Sequence, residues 1–302
     1  DVSKALDLLK LWGLKPRLRA EFSGHPFHSH EDSVRSRLLI DAFLAKDSKA
    51  VLCLRGGYGS LRMIPALLKV KARLQKAKPK IFLGYSDITT LHLFVRRILR
   101  WPVSLHGPLL ESLISGKMSD SDVEHCRQIL FGEDQRQNQG QKQDSKKQEL
   151  KVQTASFELK PMNGLAKKTK SISGFLIGGN LNVLQSSLGT DLSFQTKKQK
   201  GLNEIVVFED IGERGYRVDR MLEHLKQAKA FKNCSAIVFG DFVGGKEADG
   251  GETISFALQR FANEINIACY SGLPMGHGVR NQIIPFGQNA TIQLDKTTQP
   301  AD

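Results

Sequence analysis

The stretch Ile81-Phe82-Leu83-Gly84-Tyr85-Ser86-Asp87-Ile88-Thr89 decides how this chain is read. Ile81 to Leu83 form a short apolar run, as a buried strand requires. Gly84 permits a sharp turn, and Thr89-Thr90-Leu91-His92-Leu93-Phe94-Val95 continues as a helix. Strand, turn, serine, helix is the arrangement that lifts a hydroxyl out of a sheet. It also aims the next backbone N–H at the same point. A serine held there is a nucleophile when a base reaches it. The competing reading is a helix N-cap, a position that favours Ser and Asp.

Two distant segments bear on that choice. Ile205-Val206-Val207-Phe208 runs into Glu209-Asp210, which places a carboxylate at the C-terminal end of a strand. Open α/β sheets carry their sites at that edge. In Gly272-Leu273-Pro274-Met275-Gly276-His277-Gly278 a histidine stands between two glycines, where backbone can approach closely. Taken singly, Glu209 could pair with Arg214 or Arg217, and His277 could be an ordinary loop histidine. Taken together they are a nucleophile, a base and an orienting acid. Serine needs a base to take its proton, histidine titrates near neutral pH, and a carboxylate fixes the imidazole tautomer.

These residues carry a family resemblance. The chain resembles the LD-carboxypeptidases (muramoyltetrapeptide carboxypeptidases), a family of serine peptidases. The likeness rests on Arg55-Gly56-Gly57-Tyr58-Gly59, Gly84-Tyr85-Ser86-Asp87-Ile88-Thr89, His106-Gly107-Pro108 and Gly178-Gly179-Asn180-Leu181. It continues through Phe208-Glu209-Asp210-Ile211, the run from Gly215 to Leu222, and Gly276-His277-Gly278. The resemblance implies Ser86 as nucleophile, His277 as base and Glu209 as its orienter. It implies an oxyanion hole from the backbone N–H groups of Asp87 and Gly57, or Gly56 if the register differs by one. The residues agree with that: Val51-Leu52-Cys53-Leu54 is an apolar strand running into glycines.

The implied reaction is hydrolysis of the amide joining an L-configured centre to a C-terminal D-alanine. The implied substrate is a murein tetrapeptide, in peptidoglycan recycling, with diaminopimelate or lysine at its third position. A carboxypeptidase must recognise a terminal carboxylate, ideally through a bidentate Arg. Arg55, Arg217 and Arg280 are candidates, with Tyr58 beside the glycine turn, although each Arg could equally sit in a structural ion pair. Family members are commonly homodimers, and a homodimer is expected. A related branch cleaves an aminoacyl-nucleotide antibiotic of the microcin type, and that activity is the alternative. An α/β-hydrolase esterase shares the order Ser, acid, His, but Ile88 stands where its G-x-S-x-G elbow ends in glycine. A non-catalytic wall-binding protein on this scaffold would tend to lose a triad member, and all three residues are here.

Length and composition fit an α/β enzyme of two domains. The 302 residues are 40% hydrophobic, enough to bury real cores. No apolar run approaches the roughly 18 residues of a membrane span. The cysteines, Cys53, Cys126, Cys234 and Cys269, show neither CxxC nor metal-like spacing, and no HExxH is present. No cofactor and no metal is expected. Nothing in the cysteine spacing demands disulfides, which favours a reducing compartment, and the expected location is the cytoplasm. The net charge is +13, and residues 133–200 supply +6 of it with twelve Lys/Arg and six Asp/Glu. Aromatic residues are not interleaved with those cations, so a nucleic-acid surface is not expected.

Residues 135–153 hold seven glutamines and almost nothing apolar, the composition of a linker. The expected organisation is an N-terminal domain over 1–132 with a mostly parallel sheet, a linker over 133–172, and a smaller C-terminal α/β domain over 173–302. Strands are expected at 50–54, 81–83, 175–177, 205–208, 236–239 and 290–294, and a helix at 217–230. Since Ser86 falls in the first domain and Glu209 and His277 in the second, the site is expected in the cleft between them. Residues 1–11 read as an amphipathic helix rather than a signal peptide. The family opens with a strand before that helix. The sequence starts at Asp1, so a processed or truncated product is expected, its missing part holding that strand or a leader.

Overall fold

The computed structural model describes residues 2–19, 22–131 and 157–293. The glutamine-rich stretch 135–153 lies outside the described residues. The chain divides into two compact units, one of Asp1–Ala155 with Val279–Phe286, the other of Ser156–Gly278 with Gly287–Asp302.

In chain order the first unit holds α1 (Val2–Leu11), α2 (Asp32–Leu44), β1 (Ala50–Leu52), α3 (Ser60–Lys69), α4 (Lys71–Gln75) and β2 (Ile81–Gly84). A 3₁₀ turn at Ser86–Ile88 then leads into α5 (Thr89–Leu93), which widens to a π-helical turn at Phe94–Ile98. β3 (Ser104–His106), α6 (Leu110–Ile114) and α7 (Asp120–Phe131) follow. The second unit holds β4 (Lys160–Pro161), α8 (Gly164–Lys168), β5 (Ser171–Asn180), α9 (Leu181–Ser186), β6 (Glu204–Ile211), α10 (Gly215–Gln227), β7 (Cys234–Val243), α11 (Ile254–Glu264) and β8 (Ala268–Ser271). The chain then returns to the first unit for β9 (Ile284–Phe286) and ends in the second with β10 (Asn289–Gln293).

The first sheet has the order β1-β2-β3-β9, parallel except at β9. Helices cover a parallel sheet on both faces, so its strands are apolar on both. On one face Phe43 meets Phe82 and Trp101 edge-on at 5.7 and 5.2 Å. On the other, Ala5 and Leu9 of α1 pack with Leu83, Leu105, Leu113 and Ile283. The second sheet has the order β10-β5-β6-β7-β8-β4, a parallel centre closed at each edge by an antiparallel strand. Phe194, Phe208, Phe231, Phe239 and Phe261 fill its core.

Both units are α/β with parallel sheets, as the sequence pattern requires. Two expected boundaries change. The segment 133–172 is not linker throughout: Lys160–Pro161 pairs with Tyr270–Ser271 of β8, and Asn163 caps α8 by accepting the Ala166 N–H at 2.9 Å. Asn163 Nδ2 also donates to the carbonyls of Ala262 and Ile267 at 2.8 Å each, which ties this segment to α11 and β8. The second unit also does not run unbroken to the C-terminus. Val279–Phe286 belongs to the first, because Ile284 and Phe286 bury their side chains at the free edge of β3.

All four cysteines carry free thiols. Among the described residues no helix is long and apolar enough to cross a membrane.

Candidate active site

Ser86 follows β2 directly and opens the 3₁₀ turn before α5. Its φ is +65°, in the left-handed region that disfavours residues with a Cβ. A helix N-cap has extended backbone. Here the extended residue is Tyr85, and it makes no side-chain cap. The strained elbow, not the cap, is what the segment forms. Its carbonyl side is pinned: Gly84 O takes the His92 ring Nε2 at 2.8 Å and the Gly107 N–H at 3.1 Å. Burial pushes the His92 imidazole down to about 4, so it is neutral and acts as a strut. His106 is buried alongside, its ring 5.9 Å from Tyr85 and 6.0 Å from His92.

The glycine turn after β1 comes up against the serine. A Cβ on Gly56 would lie 3.4 Å from Ser86 Cβ and 3.2 Å from the Leu109 side chain, so the two turns meet in close contact. Asp87 locks them together. Its Oδ2 accepts the Ser60 N–H at 2.7 Å, capping α3, whose own N-cap residue Gly59 has no side chain to do so. Burial raises the Asp87 carboxyl pKa above its ordinary value, against the Ser60 hydrogen bonds that lower it. Tyr58 is 63% exposed, with its ring stacked on His28 at 5.3 Å.

In the second unit the acid and the histidine are joined. Glu209 Oε2 and His277 Nδ1 are 2.7 Å apart, with Glu209 fully buried and the His277 side chain 13% exposed. A buried carboxylate on Nδ1 fixes the tautomer that carries the proton there and makes Nε2 the basic nitrogen. Gly276 makes this contact possible, since at its φ of +122° a Cβ would come within 2.8 Å of Glu209 Cβ. Between Phe208 and Asp210 the pairing of β6 with β7 shifts register, and such irregularities re-aim side chains beside sites.

Asp210, the competing acid, is held elsewhere. Its Oδ1 accepts from Asn180 Nδ2 at 3.0 Å and the Ile211 N–H at 2.8 Å, and its Oδ2 from the Asn182 N–H at 2.9 Å. Burial, opposed by the Asn182 hydrogen bond and reinforced by the Glu209 charge, pushes the Asp210 carboxyl up to about 6. Asn180 of the Gly178-Gly179-Asn180 block thus holds Asp210. Asp241, which the sequence reading passed over, accepts the Gly278 N–H, and burial followed by the Glu209 charge raises its pKa.

The three arginine candidates part company. Arg55 pairs with Glu111 at 3.2 Å and is 77% exposed. Arg280 is exposed in the first unit. Arg217 lies 3.5 Å from Glu213 and lines a cavity with it. Among the described residues no group of three or more His, Cys, Asp or Glu is placed to hold a metal ion.

The chain is similar to known proteins in sequence and in fold. Residues 1–107 match the model of the LD-carboxypeptidase N-terminal domain, and residues 173–292 that of the LD-carboxypeptidase C-terminal domain. The chain belongs to the LD-carboxypeptidase family, and so to the peptidases. A putative carboxypeptidase of Rickettsia conorii is 34% identical, covering 90% of this chain and 76% of the relative. The murein tetrapeptide carboxypeptidase of Pseudomonas aeruginosa is 30% identical, covering 86% and 78%. Among solved structures, muramoyltetrapeptide carboxypeptidase from Oxalobacter formigenes superposes with a TM-score of 0.73 at 27% identity, covering 97% of this chain and 91% of that one. An MccF-like protein from Streptococcus pneumoniae, in complex with AMP, shares the fold with a TM-score of 0.72 at 21% identity, over 97% and 90%.

Proposed function

We propose that this chain is a serine-type LD-carboxypeptidase that removes the C-terminal D-alanine from a murein tetrapeptide. Ser86 is the nucleophile, His277 its general base and Glu209 the carboxylate that orients His277. The N–H groups of Asp87 and Gly57 receive the oxyanion. The reading draws the nucleophile from the first unit and its base and acid from the second. The observation that carries it is the Ser86 φ of +65°, a strain that a helix cap has no use for and that a nucleophile elbow requires. The Glu209–His277 hydrogen bond supports the other half of the triad.

In the proposed reaction His277 Nε2 takes the Ser86 proton as Oγ attacks the scissile carbonyl. The tetrahedral oxyanion is stabilised by the two backbone N–H groups, and His277 returns the proton to the leaving D-alanine nitrogen. Water, activated by the same histidine, releases the tripeptide. No cofactor takes part. A cytoplasmic homodimer acting in recycling is the setting this reading implies.

Purified protein is tested against a murein tetrapeptide and against an aminoacyl-nucleotide of the microcin type, with D-alanine and amino-acid release followed chromatographically. The proposal expects D-alanine from the tetrapeptide. Release from the nucleotide conjugate alone would assign the chain to the immunity activity instead.

A further inference from the structure

His277 stands between two glycines, and each glycine is pressed by a different carboxyl group. At Gly276 a Cβ would come within 2.9 Å of Glu209 Oε2. At Gly278 a Cβ would run into the Asp241 carboxyl group, Oδ2 first. Only the first of these acids belongs to the triad.

Asp241 owes its place to an irregularity in β7. Phe208 of β6 pairs with Phe239 of β7, and Asp210 pairs with Phe242. Glu209 alone therefore stands opposite two residues, Gly240 and Asp241. An extra residue of this kind bends its strand and re-aims the side chains around it. From here β7 runs beside the histidine turn and holds it at three levels. The Leu273 N–H donates to the Phe239 carbonyl at 3.4 Å, and the Asp241 N–H donates to the Met275 carbonyl at 2.8 Å. The Gly278 N–H donates to the half-buried Asp241 side chain. Gly240 lets the two backbones close up, since a Cβ there would lie 2.5 Å from the Met275 carbonyl oxygen. Asp241 grips the turn two residues before His277 and one residue after it.

We propose that Asp241 is a positioning residue of the triad. Through its N–H and its carboxyl group it fixes the backbone on either side of His277, so that the imidazole presents Nδ1 to Glu209. The inference rests on the serine-carboxypeptidase reading, and within it the two acids divide the work. Glu209 orients the ring, and Asp241 fixes the backbone that carries the ring. The 2.7 Å between His277 Nδ1 and Glu209 Oε2 depends on both. Reacting groups tolerate little misplacement, and a displacement of about 1 Å costs on the order of 10²-fold in rate.

The test makes Asp241→Ala, Asp241→Asn and Gly278→Ala in the full chain and reads two signals from each. One is D-alanine release from murein tetrapeptide, with kcat and KM taken separately. The other is the low-field proton resonance of the His277 Nδ1–H, assigned by its loss in His277→Ala. In Asp241→Ala kcat should fall on the order of 10²-fold with KM within about twofold, and the resonance should broaden or vanish. Asp241→Asn keeps an acceptor for the Gly278 N–H, so it should restore the resonance and bring kcat to within about fivefold of wild type. Gly278→Ala should repeat the Asp241→Ala pattern with the acid still in place, and it serves where Asp241→Ala fails to fold. Thermal melting establishes which variants are folded. A merely structural role would lower the melting temperature while kcat and the resonance stay as in wild type, and that result overturns the proposal. Asp241→Asn as damaged as Asp241→Ala overturns it too. A wild type that releases no D-alanine contradicts the carboxypeptidase reading, and the resonance then still decides whether Asp241 holds His277.

Discussion

At the scale of single residues, two neighbouring acids on one strand are given different work. Glu209 reaches His277, while Asp210 gathers three N–H donors from Asn180, Ile211 and Asn182. Successive residues of a strand point to opposite faces, so the two cannot exchange roles. Glu209→Gln keeps the shape and removes the charge that stabilises the imidazolium. It is expected to lower kcat by roughly 10³–10⁴-fold with a nearly unchanged urea midpoint. Asp210→Asn should do the reverse, keeping most activity and losing stability, because an amide nitrogen placed at Oδ2 repels the Asn182 N–H. The two variants also differ in pH dependence. Asp210 has a folded-state pKa of about 6, above its ordinary value, so the folded chain holds its proton longer than the unfolded one. Its contribution to stability is full below the unfolded pKa and is lost as pH rises through about 6. Urea midpoints at pH 4.5 and 7 should therefore converge in Asp210→Asn relative to wild type, and an unchanged difference would contradict the assignment. Ser86 offers a second check at this scale. Since its φ is +65°, Ser86→Gly should unfold at higher urea than Ser86→Ala, by about 1 kcal/mol, while both lack activity.

At the scale of elements, Asn163 shows what sequence composition hides. It caps α8 and donates to two carbonyls, of Ala262 and Ile267, from a segment whose lysines read as linker. Asn163→Ala is expected to cost about 1–3 kcal/mol in chemical denaturation, since buried carbonyls lose their donor. A change within about 0.3 kcal/mol would return the segment to linker status. The strands that were legible are β1, β2, β5, β6, β7 and β10, each carrying apolar residues in a short run. β6 nevertheless extends beyond Ile205–Phe208 to Glu204–Ile211, where Glu204 accepts the Lys197 N–H and Glu209 meets His277. β3 and β9, three residues each, carry too little pattern to read. The tight turn at Ser86 and the pairing of Glu209 with His277 were legible because glycine, serine and paired acids mark those segments locally. What Asp87, His92 and Asn182 do was not, since each acts on a residue distant in sequence or through backbone.

At the scale of the whole molecule, the chain crosses from the second unit to the first at Val279 and back at Gly287. Neither unit is a continuous stretch of sequence, and β9 is the first unit's only antiparallel strand among the described residues. Phe286 is fully buried there, against His92 and His106 at 5.4 Å. Phe286→Ala should cost about 3–5 kcal/mol, and a chain ending at Gly278 should lose its cooperative melting transition. Retained cooperativity in that truncation would contradict the division described here. The triad reading spans the same division, with Ser86 on one side and Glu209 and His277 on the other. Its central claim is that Ser86 attacks the amide before D-alanine, and the direct measurement is D-alanine release from murein tetrapeptide by wild type and Ser86→Ala. The account predicts steady release by the wild type and a loss on the order of 10⁴-fold or more in the folded variant. Retention of more than about a tenth of the wild-type rate by Ser86→Ala would contradict it.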